Sequence, residues 1–311
     1  MVFVVSVSII IPCKNHPENL HTLLKSITKS NFNLKDCELI VVDDGSKKPI
    51  SKKDLAAFRG YFWKLTLIRN KWSKGAAFSR NKGAEHSNAN FLLFIDDDNI
   101  LSKSFISQLY YFLRKHPSCS MVGGFSYYFC CKNEINYGAW HILLSKKDII
   151  NASFVYQVIT TKQVLDADFI PNAFLVKKSA FTKIGGFDIN YKGAYFEDAD
   201  FGLRMKKLGD IKVLPSAKIY HKRQKGEFTL YSIKRLIEYT HNFIYFYKKH
   251  TTSGFPIFLG LLRLKVRFTY ELIKRRKLKL ASFYILVTPL ELVNFLKIFF
   301  WYSSNKFNRD H

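Results

Sequence analysis

A chain of 311 residues with 48% hydrophobic and 16% aromatic content has the means to bury a large core, which excludes intrinsic disorder. Its net charge of +25 selects anionic partners, whether nucleic acid, a phospholipid surface or phosphorylated small molecules. The charge is concentrated: residues 222–279 hold fifteen Lys or Arg against three acids.

Residues 2–11 are rich in Val and Ile, lack a basic leader or small-residue cleavage site, and run into Pro12. They read as a buried first strand rather than a secretory signal, with the cytoplasm as the default location. The five cysteines, Cys13, Cys37, Cys119, Cys130 and Cys131, lack C-x-x-C spacing, and an odd count suits a reducing compartment. Pro17 opens a helical pattern through Leu20, Leu23, Leu24 and Ile27. Residues 38–42 form a strand ending at Asp43-Asp44-Gly45-Ser46, a turn signal. A strand at 65–68, a helix over 74–86 and a strand over 91–95 follow, the last ending in Asp96-Asp97-Asp98-Asn99; a helix is expected over 101–115 and a strand over 121–125. The segment 127–161 is aromatic and without clean period. After 169–177 come a Gly185-Gly186-Phe187-Asp188 turn, a helix opened by Glu197-Asp198-Ala199-Asp200, and short strands at 213–214 and 217–220 ending at His221. This alternation implies a largely parallel sheet covered on both faces.

The segment 12–15, Asp43-Asp44 and 96–98 each directly follow an apolar strand. In an open parallel sheet ligands bind at the carboxyl ends of strands, so these clusters are expected to converge on one crevice. Carboxylates spaced by one residue, as Asp96 and Asp98 are, suit Mg²⁺ or Mn²⁺ with room left for phosphate oxygens. Their crowding at the end of an apolar strand calls for a cation or hydrogen-bond donors. Asp44 is a candidate acceptor from a base or ribose, though Asp and Gly are also ordinary turn residues. Glu197, Asp198 and Asp200 suit a helix dipole, or supply a general base.

The order and spacing of five blocks, 7–15, 39–46, 70–83, 91–99 and 185–209, resemble family 2 glycosyltransferases with the GT-A fold, over roughly residues 5–225. The resemblance implies an α/β architecture, Rossmann-like with a mostly parallel sheet, and a C-terminal helical extension. Residues 1–225 would be the catalytic domain, with 1–125 binding the nucleotide-sugar and 126–225 the acceptor; residues 226–311 would be the extension. Pro12, Asn15, Glu18, Asp44, Gly75, Arg80 and Asp96 are then expected at the nucleotide, with Ser79 standing where Ala is usual. Asp98 and His221 are expected at a divalent metal, Glu197, Asn172 and Gly186 on the acceptor side, and Asp198 as catalytic base. The implied reaction is inverting transfer of a sugar, with UDP the commonest carrier, to a hydroxyl of a glycan or glycolipid in bacterial surface polysaccharide synthesis. The rivals are a nucleotidyltransferase, which would show a Gly-rich loop after the first strand, and a relative that binds without catalysis.

Past His221, residues 228–250 read as an aromatic-rich helix, in which Glu238-Tyr239-Thr240-His241-Asn242 and Phe246-Tyr247-Lys248-Lys249-His250 resemble the helical tail of members that modify membrane-linked acceptors, and 255–279 read as basic and apolar. Residues 280–302 are long enough to span a bilayer, but Glu291, Asn294 and Lys297 recur every third residue. That spacing favours a helix lying on an anionic membrane surface, so the expected location is cytoplasmic and peripheral to the membrane. The basic stretch is interleaved with aliphatic runs and carries no recognition motif, so no nucleic acid partner is expected.

Overall fold

The computed structural model describes residues 5–128, 136–137, 140–142, 154–156, 163–193, 195–221 and 233–250. In chain order the strands are β1 (Val7–Cys13), β2 (Cys37–Asp43), β3 (Lys64–Arg69), β4 (Phe91–Ile95), β5 (Asn99–Leu101), β6 (Cys119–Tyr128), β7 (Asn136–Tyr137), β8 (Trp140–Ile142), β9 (Phe154–Tyr156), β10 (Leu165–Asp166), β11 (Ala173–Lys177) and β12 (Asp210–His221). The helices are α1 (Pro17–Ile27), α2 (Ala76–Glu85), α3 (Phe105–Lys115), α4 (Lys178–Lys183), α5 (Glu197–Lys206) and α6 (Ile233–His250). Two compact units share these residues: the first runs to Phe243, and the described part of the second is the end of α6, residues 244–250.

A ten-stranded sheet has the order β10-β12-β6-β11-β4-β1-β2-β3, with β5 on β12 and β7 on β6. The β1–β2, β1–β4, β2–β3 and β6–β12 pairs are parallel, whereas β11 runs antiparallel between β4 and β6. The central strands bury both faces, which is why they read as unbroken apolar runs. Ile9 and Ile11 pack into a core with Leu20, Leu23, Leu24 and Ile27 of α1, while Ile10 faces a second core with Ala77 and Ala84 of α2. Truncating Ile9, Ile10, Ile11, Leu23, Leu24 or Ile27, each fully buried, to Ala is expected to cost about 2–5 kcal/mol.

Three local readings change. β1 continues through Pro12 to Cys13: its pairing with β4 ends at Ile10, so Pro12 is paired on one side only, with Val42 of β2. Asn99–Leu101 is a strand on β12, so α3 begins only at Phe105. The two short strands expected around 213–220 are one strand, β12, with a register shift between Leu214 and Lys218. The expectations for the basic and apolar tail, residues 255–311, lie outside the described residues, as does most of 127–161. No helix among the described residues is long and apolar enough to cross a membrane.

Candidate active site

β1, β2 and β4 end on the same side of the sheet, and their terminal loops are laced together. Asp43 closes β2 with no exposure; its carboxylate accepts from the amides of Ser46 and Ile50 and from the Arg69 guanidinium. Asn15, held at φ 61°, donates its amide to Ser46 Oγ and accepts from the amide of Lys47. Beside them lies an open cleft of about 340 Å³ lined by Asn15, Pro17, Lys47 and Lys48.

Asp44 is 4% exposed and takes five protein donors. Oδ1 accepts from Asn70 Nδ2 (2.8 Å), the Lys74 amide (2.8 Å) and Ser79 Oγ (3.1 Å); Oδ2 accepts from Ser73 Oγ (2.7 Å) and the Gly75 amide (2.9 Å). Burial alone would raise its pKa, but these bonds more than offset it and hold the carboxyl below its usual range. Both its oxygens thus accept from the loop that leads into α2. Gly75, at φ 93°, makes the sharp entry to that helix that a side chain would strain.

At the end of β4, Asp96, Asp97 and Asp98 point three ways. Asp96 pairs with Arg80 Nη2 at 2.6 Å, and its amide donates to the carbonyl of Asn172, itself at φ 69°. Asp97 turns inward to the Cys13 thiol. Burial pushes its carboxyl up to about 7; the thiol opposes the rise, and Asp98 and Asp96 add to it. Asp98 reaches His221 at the end of β12, Oδ2 to Nε2 3.1 Å, while its Oδ1 is buried with no hydrogen-bond partner.

Arg80 is 5% exposed. It bridges Asp96 to Glu197 Oε1 (3.3 Å) above the Phe187 ring, joining the strand-end acids to the first turn of α5. Phe187 is fixed in turn: its backbone N–H and C=O both bond the Asn81 side chain, and its ring stacks on Phe201 at 4.1 Å. Gly186 sits in this turn, with its carbonyl held by Arg204. Burial raises the Glu197 carboxyl although Arg80 opposes it, and Glu197 Oε2 is buried without a partner. Burial likewise pushes Asp198 up to about 7, with Glu197 adding to the rise and Arg80 opposing it.

The structure thus brings Arg80, Asp96, Asp98, Asn172, Glu197, Asp198 and His221 around one end of the sheet, beside a second cluster of Asn15, Asp44 and Gly75. Pro12 stays in the β1 ladder, and Glu18 is exposed on the first turn of α1, 3.9 Å from His16. Sequence reasoning missed Arg69, Asn81 and the Cys13–Asp97 contact. Only Asn81, adjacent to Arg80 within the block 70–83, carried a signal.

Among the described residues no three His, Cys, Asp or Glu side chains form a ready cage for a metal ion. The donor set nevertheless fits a hard or borderline divalent cation, because Asp98 offers a buried oxygen without a partner beside the His221 imidazole. Ligands from the substrate would have to complete the coordination.

Sheet order, antiparallel β11 and carboxylates at the ends of β2 and β4 define the GT-A class of nucleotide-diphospho-sugar transferase folds. The chain belongs to glycosyl transferase family 2, whose sequence profile matches residues 8–185. It is 30% identical over 210 residues to an uncharacterized glycosyltransferase of Haemophilus influenzae, covering 64% of this chain and 61% of that one. It is 29% identical over 118 residues to the poly(ribitol-phosphate) β-N-acetylglucosaminyltransferase TarP of Staphylococcus aureus, covering 38% and 36%. The structure of S. aureus TarS 1–349 in complex with UDP-GlcNAc superposes with a TM-score of 0.57 at 18% identity, covering 78% of this chain and 65% of that one. In each case the chain spans less than two thirds of the length of the relative it matches.

Proposed function

We propose that the chain transfers a sugar, with inversion, from a UDP-sugar to a hydroxyl of an anionic cell-surface glycan. The observation that carries this reading is the pairing of two differently prepared carboxylate groups across Arg80. Asp98 keeps a free buried oxygen on the donor side, and Asp198 is a raised-pKa carboxyl on the acceptor side.

In the proposed reaction Asp198 takes the proton of the acceptor hydroxyl as its oxygen bonds to the anomeric carbon. The bond from that carbon to the phosphate oxygen breaks on the opposite face, and its electron pair leaves with the nucleoside diphosphate. A base whose pKa lies near the working pH is well matched to such a transfer. Asp98 and His221 would hold a divalent cation, which when bound supplies positive charge to the leaving diphosphate. Arg80 fixes Asp96 and Glu197 and carries positive charge between the two sides of the site. Asn15, Lys47 and Lys48 offer a backbone bend and two cations for the nucleotide end of the donor.

Two relatives support the substrate classes: the TarS structure holds UDP-GlcNAc, and TarP is a poly(ribitol-phosphate) β-N-acetylglucosaminyltransferase. A net charge of +25 suits an acceptor of that kind, or a membrane surface carrying it. The assignment of residues 226–311 as a membrane-seeking extension stays part of this proposal.

Calorimetric titration of UDP with Mn²⁺ and then with EDTA, followed by an assay for UDP release from UDP-GlcNAc, tests the reading. Metal-dependent binding with turnover is expected. Binding without turnover of any UDP-sugar would leave a silent relative, and no nucleotide binding would remove the proposal.

A further inference from the structure

The segment that delivers Glu197 and Asp198 to the site has unusual backbone. Gly193 (φ 66°), Tyr195 (φ 100°) and Phe196 (φ 68°) all lie in the left-handed region, and two of them are aromatic residues for which it is strained. Such a conformation persists only where its surroundings impose it. Phe196 also starts α5, accepting the Asp200 amide at 2.8 Å, so a relaxed loop would rotate the first turn of that helix.

The surroundings in question belong to α6. Asn242, 0% exposed, accepts the Lys192 amide through Oδ1 (2.8 Å) and donates through Nδ2 to the carbonyls of Lys192 (2.8 Å) and Tyr195 (2.9 Å). Both amide hydrogens and one oxygen lone pair are thus spent on one short loop. Tyr239 meets Tyr195 and Phe196 edge-on, each at 5.3 Å, and Phe243 meets Phe196 at 6.0 Å. The Glu238 carboxylate lies so near Gly193 that a Cβ there would sit 2.7 Å from its Oε2. Positions 238, 239, 242 and 243 share one face of the helix, and that face grips the loop. A buried amide among aromatic neighbours is costly unless its bonds are all made, so its placement here calls for a purpose that a Leu could not serve.

We propose that Asn242 is a positioning residue for sugar transfer: through its amide, α6 holds Lys192, Gly193, Tyr195 and Phe196 in the strained form that aims Asp198 at the acceptor hydroxyl. The proposal rests on the reading of Asp198 as the base. It makes the helix that precedes the basic tail part of the catalytic apparatus.

The test uses the full-length chain carrying Asn242→Asp, which keeps the acceptor oxygen and loses both donated bonds, and Asn242→Gln as the conservative variant. Amide hydrogen exchange across residues 190–199 is expected to quicken by about tenfold or more in Asn242→Asp while β1–β4 stay protected. UDP affinity and the KM for UDP-GlcNAc should stay near wild type while kcat falls about 100-fold, the usual cost of a small misplacement. Asn242→Gln should recover part of kcat. Combined with Asp198→Asn, the Asp variant should cause no further loss, since both act through one group.

Unchanged exchange at 190–199, or exchange and UDP affinity changing throughout the sheet, would overturn the clamp. An additive loss in the double variant would show that Asn242 acts elsewhere. Near-normal turnover of Asp198→Asn alone would instead indict the base assignment, leaving exchange to decide the clamp. Should Asn242→Asp fail to fold, Gly193→Ala pushes the same loop off Glu238 from the other side and must give the same split between kcat and UDP affinity.

Discussion

The acids at the end of β2 and those around β4 and α5 are built on opposite terms. Asp43 and Asp44 are filled by protein donors, and the Asp44 carboxyl is held below its usual pKa range. Asp97, Asp98 and Glu197 each keep a buried oxygen with no partner, and burial pushes Asp97 and Asp198 up to about 7. A buried carboxylate that is fully bonded is finished structure; one that is buried and short of donors costs stability and awaits a proton, a cation or a substrate. That criterion is the basis for expecting the Asp43 and Asp44 carboxylates to act as scaffold and the chemistry to fall between Asp98 and Asp198.

The largest effect should come from Asp198→Asn, which keeps shape and removes the base. We expect kcat to fall about 10³-fold with UDP affinity preserved, measured by UDP release and calorimetry. Wild-type kcat should climb with pH and level off above about 7, because the base acts when ionised. Stability should move the other way. A carboxyl whose folded pKa is raised binds its proton more tightly in the native state, so its contribution is greatest below the unfolded pKa and is lost as pH rises through the folded value. Asp198→Asn should therefore raise Tm at pH 8 and change it little at pH 4. Near-normal turnover, or a Tm gain at both pH values, would erase the contrast between the two regions.

Next in size is Asp98→Ala. If the free oxygen of Asp98 is a cation site, Mn²⁺-dependent UDP affinity should drop about 10–100-fold, while affinity in EDTA stays where it was. Equal affinities with and without metal in both proteins would assign Asp98 to a simple pair with His221.

Much of this was legible beforehand. The five motif blocks sit on the elements expected of them, because apolar runs followed by acids at strand ends constrain both sheet position and chemistry. What stayed hidden were partners distant in sequence. Arg80 resembles a donor-binding residue in its motif, yet its guanidinium bridges Asp96 to Glu197, 117 residues away from it. Asn242 stands in a stretch readable as an aromatic-rich helix, and no spacing rule connects it to Lys192 or Tyr195. Antiparallel β11 was hidden for the same reason: strand direction depends on chain crossings that local pattern does not encode.

Asp44 offers the smallest effect and the clearest separation. Its motif suggests a direct contact with base or ribose, whereas the structure fills both its oxygens from residues 70–79. Asp44→Asn would replace charge-assisted bonds with weaker ones and turn one acceptor into a donor facing donors. A stability loss of about 1–3 kcal/mol is expected, seen as a lower Tm at neutral pH. Because its folded pKa is depressed, the native contribution of Asp44 exists above the unfolded pKa and is lost as pH falls through the folded one. The difference in Tm between wild type and variant should therefore shrink in acid. UDP affinity should change only a few-fold, through loosening of the loop at Gly75. A large fall in affinity at unchanged Tm would mean that Asp44 sheds protein donors for the nucleotide, and that the β2 end belongs to the chemistry after all.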